Sequence, residues 1–96
     1  MELTTKQRAK LRSMCNTLPV TLTVGKEGIG ENTIKEAYDL LNARELIKCA
    51  VGQNAPVTAK EACDALSQVT GAAPVQEIGK KFCVYRRNDK EPRIEV

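Results

Sequence analysis

Ninety-six residues with a formal net charge of +3, 42% hydrophobic content and 3% aromatic content suit one compact domain, which at this size buries roughly 60 to 65 per cent of the surface its unfolded chain exposes. Four cysteines without a C-x-x-C pair, and no histidine, give no support to zinc-finger or histidine-based metal arrangements. No apolar run approaches the roughly 20 residues that cross a bilayer, and the N-terminus is polar rather than signal-like, so the expectation is a cytoplasmic protein with no membrane partner.

Charge is unevenly spread. Residues 1–12 carry +3, residues 13–79 carry −3 and residues 80–96 carry +3, so folding that brings both ends together creates a positive patch from a modest total. Cys15, Cys49, Cys63 and Cys83 each sit beside apolar residues inside an expected helix or strand, where a free thiol acts as a small hydrophobe.

Thr4 or Thr5 can cap a first helix whose Leu11, Met14, Cys15 and Leu18 follow the i, i+3, i+4, i+7 spacing of a buried stripe. Lys6 and Lys10 flank that stripe on one side, Arg8 and Arg12 on the other. Pro19 opens an alternating strand with Val20, Leu22 and Val24 on one face and Thr21 and Thr23 on the other. Gly25-Lys26-Glu27-Gly28 follows directly, then a helix opening near Glu31 with Ile34, Ala37, Tyr38 and Leu41 on one side.

Leu46 to Val51 is a second strand, aligning Ile47, Cys49 and Val51, and Gly52 to Val57 is a loop. Thr58 and Glu61 have the spacing of a capping box, and the helix they start carries Ala59, Ala62, Cys63, Leu66 and Val69 inward until Gly71 stops it. Val75 to Ile78 and Phe82 to Arg86 form a hairpin around Gly79-Lys80-Lys81. The expected architecture is therefore α/β, a single-domain αβαβαββ sandwich over residues 1–96 with a four-stranded mixed sheet. Its ordered core covers about 3–87, and a polar, loosely attached tail covers 88–96.

Glycine chemistry narrows the function. A P-loop needs G-x-x-x-x-G-K before Ser or Thr, but Gly25 and Gly30 are followed by Glu31 and Asn32; the dinucleotide fingerprint fails too, because Thr33 follows Gly28-Ile29-Gly30 where a small residue belongs. No carboxylate pair or base-assisted nucleophile is evident, so the chain is expected to bind rather than catalyse, with no cofactor and no small-molecule substrate. With Phe82, Tyr38 and Tyr85 all inside apolar patterns, the three aromatics read as core, and an aromatic stacking platform is disfavoured relative to backbone contacts by amides and cations. Gly25-Lys26-Glu27-Gly28 suits such contacts, since glycines allow close approach and the following helix start offers unpaired N–H groups. Glu27 opposes them by placing a carboxylate at the same point.

Four ordered blocks carry a resemblance: Leu3-Thr4-Thr5-Lys6-Gln7-Arg8 with Leu11-Arg12, Val24-Gly25-Lys26-Glu27-Gly28-Ile29, Ala43-Arg44-Glu45-Leu46-Ile47-Lys48, and Ile78-Gly79-Lys80-Lys81-Phe82-Cys83-Val84-Tyr85-Arg86. Together they resemble the single-domain CRM proteins (chloroplast RNA splicing and ribosome maturation), represented in bacteria by YhbY-type proteins. The resemblance implies a fold similar to the C-terminal domain of translation initiation factor three, with a KH-like loop. It further implies RNA as partner, specifically rRNA in large-subunit precursors, with ribosomal proteins as further neighbours. By the same resemblance Gly25, Lys26 and Gly28 lie at the RNA contact, with Glu27 a candidate as a member of the same loop, extended by the basic residues of the first helix, Lys6, Arg8, Lys10 and Arg12, and of the hairpin, Lys80 and Lys81. An alternative from another class is a protein-interaction module whose basic faces dock an acidic ribosomal or assembly protein.

Overall fold

A computed structural model describes residues 2–95. Its elements are α1 (Thr5–Cys15), β1 (Val20–Val24), α2 (Glu31–Arg44), β2 (Leu46–Val51), α3 (Ala59–Thr70), β3 (Ala73–Ile78) and β4 (Lys81–Tyr85), the expected order of seven. The four strands form one sheet in the order β1-β2-β4-β3, with β1 parallel to β2 and the other pairs antiparallel. A helical crossover, α2, separates the parallel pair, as such a connection requires.

Local chemistry accounts for the helix boundaries. Thr4 caps α1 reciprocally: the Gln7 N–H donates to Thr4 Oγ1 at 3.1 Å, and the Thr4 N–H to Gln7 Oε1 at 3.0 Å. The same exchange between Thr58 and Glu61 starts α3, at 3.1 and 2.8 Å. Gly71 ends α3 with φ at 77°, a left-handed conformation that costs a residue with a Cβ about 1–2 kcal/mol.

Strand alternation divides the core in two. On one side of the sheet Leu22, Val24, Ile47, Cys49, Val51, Phe82 and Val84 meet Ala37 and Leu41 of α2 and Ala59, Ala62, Cys63 and Leu66 of α3. On the other, Leu11 and Cys15 of α1 cover Leu46, Val75, Cys83 and Tyr85, with Leu3, Met14, Leu18 and Ile94 packed around them. All four cysteines are buried free thiols. Burial pushes Cys49 up to about 12 and Cys63 up to about 11, so neither is an available thiolate near neutrality.

Several sequence expectations are corrected. Val20 does not share the inward face of Leu22 and Val24, because the register shifts between Val20 and Leu22 and leaves it largely exposed. Val69 is 53% exposed; Thr70 takes the inward position, its hydroxyl donating to the Leu66 carbonyl at 2.6 Å. Leu18 lies beyond the end of α1 although it still packs on the second cluster. β3 begins at Ala73 rather than Val75, with Pro74 tolerated on an outer strand, and a second register shift falls between Pro74 and Gln76. Tyr38 is not core: it is 46% exposed, and the Arg86 guanidinium lies 4.2 Å from its ring centroid.

The tail also departs from expectation. Glu45 is fully buried at the junction of α2 and β2, and its carboxylate accepts N–H donors from Asn88 (2.6 Å), Arg93 (2.6 Å) and Ile94 (2.7 Å). Lys10 Nζ donates to the Glu95 carbonyl, and Ile94 packs against the α1 cluster. Residues 88–95 are thus fastened to the domain rather than loosely attached.

Candidate nucleic-acid interface

The sheet gathers three loops at one end. Because β1 and β2 are parallel, the loop leaving Val24 and the loop leaving Val51 emerge side by side, joined by the Gly52 N–H donating to the Val24 carbonyl at 2.8 Å. The β3–β4 turn is tied in by the Val51 N–H, which donates to the Lys80 carbonyl at 2.7 Å. Gly25, Lys26, Glu27, Lys80 and Lys81, all exposed, therefore share one end of the molecule. The ammonium groups of Lys26, Lys80 and Lys81 have no hydrogen-bond or ion-pair partner among the described residues.

The two loop glycines have different roles. Residues 25–28 form a tight turn in which the Gly28 N–H donates to the Gly25 carbonyl at 2.9 Å. Gly28 is buried, with φ at 71°, and an added Cβ would stand 3.1 Å from Pro56 Cγ. Its amide is consumed by the turn, so Gly28 shapes the loop instead of offering a donor. Gly25 is exposed, has no positive φ and would have open space around a Cβ.

Replacing Gly28 with alanine is accordingly expected to lower unfolding free energy by about 1–2 kcal/mol, from left-handed strain and the Pro56 contact. Chemical denaturation checks it; an unchanged midpoint would show that the turn relaxes freely. The strain makes Gly28 a poor probe of ligand contact, and Lys26 a better one.

Beyond the turn, α2 starts at Gly30, which has no side chain to cap the first helical amides; the Thr33 hydroxyl lies 3.4 Å from both the Gly30 N–H and the Gly28 carbonyl. Glu27 and Glu31 add negative charge beside these amides, so lysines from the neighbouring turn are needed to make the loop end favourable to an anion.

The candidates on α1 do not all join this end. Arg8 Nη1 donates to the Pro74 carbonyl, fastening α1 to the start of β3 at the opposite end of the sheet. Lys10 is engaged with the tail, and Lys6 lies on that same flank of the helix. Arg12, one turn beyond Arg8, is exposed and without a partner among the described residues. Of the basic residues on α1, Arg8 and Lys10 serve the fold visibly.

Comparison with known proteins fits this arrangement. The CRS1 / YhbY (CRM) domain profile matches residues 3–86. The chain belongs to the CRM family. Among CRM relatives, it is 36% identical over 94 residues to the probable RNA-binding protein YqeI of Bacillus subtilis, covering 98% of each chain. A Haemophilus influenzae protein named as RNA-binding is 32% identical over 94 residues, with 98% of this chain and 94% of that one covered. The solution structure of SAV1595 from Staphylococcus aureus, presented as a candidate RNA-binding protein, superposes with a TM-score of 0.77 at 42% identity, covering 90% of each chain. A CRM fold therefore underlies the convergence of the three loops.

Sequence reasoning missed two features of this CRM domain. Arg86 is held by the Thr70 carbonyl at 3.0 Å and by Asn42 Oδ1, so the cation on Tyr38 is fixed in place. Glu45, read only as part of a matching block, is the receptor for the tail. Both depend on partners 16 to 49 residues away, which periodicity cannot reveal.

Proposed function

We propose that this chain is a non-enzymatic RNA-binding protein of the cytoplasm that contacts the RNA backbone through the 25–28 loop, the Gly79-Lys80 turn and Lys81 at the start of β4, acting on rRNA within large-subunit precursors. The observation that carries the reading is the main-chain tie among three loops, which assembles exposed Lys26, Lys80 and Lys81 at one end of the sheet. Their ammonium groups suit phosphate oxygens, and this contact carries no base information. The names of the CRM relatives support RNA as the ligand class.

Two measurements test the reading together. Titration of a large-subunit rRNA transcript should give an affinity that falls linearly with salt on logarithmic axes. Sucrose-gradient fractionation with crosslink mapping should place the protein on large-subunit precursors through residues 25–28 and 80–81. A salt-insensitive affinity, or association that survives complete RNase digestion, would overturn the proposal in favour of protein docking.

A further inference from the structure

One half of the sheet surface carries no helix. α1 covers Leu46, Val75, Cys83 and Tyr85, at the end of the sheet away from the three loops. Toward the loops the same face continues without cover, and strand pairing assigns its residues. Leu22 and Val24 point into the opposite core, so Thr23 faces this side; the register shift sets Val20 opposite Lys48, on this face too, with Thr21 at the irregularity between them. Ile47, Cys49 and Val51 likewise leave Lys48 and Ala50 here. Lys81 pairs with both Ala50 and Ile78, and Cys83 with both Lys48 and Gln76, which puts Lys81, Gln76 and Ile78 on the same surface.

Its composition is one-sided. Its polar strand residues are Lys48, Lys81, Thr23 and Gln76, with Thr21 at the irregularity and exposed Val20 beside Lys48, while Glu77, the carboxylate of β3, pairs opposite inward-facing Phe82 and so belongs to the other side. Ile78, the last residue of the edge strand β3, is 66% exposed at the loop end of this face. Lys48, Lys81, Gln76, Ile78 and Asn16 line a small cleft of about 150 Å³. Lys48 Nζ is steadied there by donating to the Cys15 carbonyl at 3.3 Å, and diagonal neighbours such as Lys48 and Lys81 stand about 7–8 Å apart across a strand pair.

We propose that this uncovered half-sheet is a track for single-stranded RNA leading away from the loop end, an inference that rests on the RNA reading above. Lys48 and Lys81 meet successive phosphates, Thr23 and Gln76 supply neutral hydrogen-bonding groups, and exposed Ile78 receives the face of an unpaired base. Charge complementarity selects the occupant: a surface with two lysines and no strand carboxylate suits a polyanion. A cleft of this small volume admits one splayed nucleotide and not an A-form duplex, whose bases are stacked and paired inside the helix.

The test uses a fluorescein-labelled 15-nucleotide oligouridylate, the rRNA transcript, and the double variant Thr23→Glu/Gln76→Glu, which puts two carboxylates on the face without altering the loops. Fluorescence anisotropy should show the variant binding the oligonucleotide about tenfold or more weakly at 100 mM salt. In 15N-labelled wild-type protein, the oligonucleotide should shift the amides of Thr21, Thr23, Lys48 and Lys81; this readout decides the matter even if the variant fails to fold. Equal affinity of a folded variant, or shifts confined to residues 25–28 and 80, would overturn the track and leave the loop contact standing. So would wild-type protein that binds the transcript but ignores the oligonucleotide. Absence of binding to both RNAs removes the RNA reading itself and the track with it.

Discussion

Glu45→Ala is expected to lower the unfolding free energy by about 2–3 kcal/mol and the melting temperature by roughly 10–20 °C. The carboxylate is fully buried and accepts three main-chain N–H groups from residues 88, 93 and 94. Hydrogen bonds to a charged acceptor contribute more than neutral ones, about 1.5–3 kcal/mol each. Their sum overstates the loss, because the released tail regains hydration for its amides. Alanine also keeps the positive φ of 66° at this position, so no strain is relieved in compensation.

The same contact sets a pH dependence. Burial pushes the Glu45 carboxyl up, but the three N–H donors and the nearby Arg87 charge outweigh it, and its pKa lies below the ordinary carboxylate value. A folded pKa depressed below the unfolded one contributes stability that is complete above the unfolded pKa and lost as pH falls through the folded pKa. Acidification below the usual carboxylate range should therefore detach the tail. Amide hydrogen exchange at Asn88, Arg93 and Ile94 checks both statements: protection should vanish in Glu45→Ala at neutral pH and in the wild type at low pH. Protection that persists in the variant would assign the fastening to Ile94 packing instead.

Lys26→Glu/Lys80→Glu should leave folding nearly unchanged yet weaken rRNA-transcript binding about 30- to 100-fold at 100 mM salt. Both side chains are exposed and free of partners among the described residues, so their removal disrupts no contact seen there. Each lost phosphate contact makes the logarithmic salt dependence shallower by roughly 0.7–0.9. Charge reversal adds repulsion on top. Because phosphate contacts are blind to base identity, the loss should be similar for transcripts of unrelated sequence. Filter binding over a salt series measures it, and an unaltered slope would exclude these two lysines from the interface.

What the sequence disclosed followed the range of the forces involved. Thr58 with Glu61, and Ile47, Cys49 and Val51 at period two, are local signals, and the elements they mark formed as expected. The placement of Lys26 in a turn between strand and helix was equally legible. The strand order was not, because β2 meets β4 and not its successor β3, and that order ties Lys80 to Val51 at the end of the sheet that carries the 25–28 loop. Tyr38 looked apolar by spacing because a helical period cannot register a cation arriving from the end of β4. Gly28 looked like an open donor because the sequence shows a missing Cβ without showing that Pro56 occupies the adjoining space.

The two register shifts have a further consequence. Both fall on the outer strands, one between Val20 and Leu22 and the other between Pro74 and Gln76, where Pro74 also lacks an N–H to offer. An outer strand with a regular ladder is a template for a second chain, and an interrupted one is a poor template. A long RNA that collects several copies side by side would raise their local concentration. Irregular margins would then disfavour the joining of neighbouring sheets into a continuous one, so crowding on a shared nucleic acid would be expected not to seed aggregation.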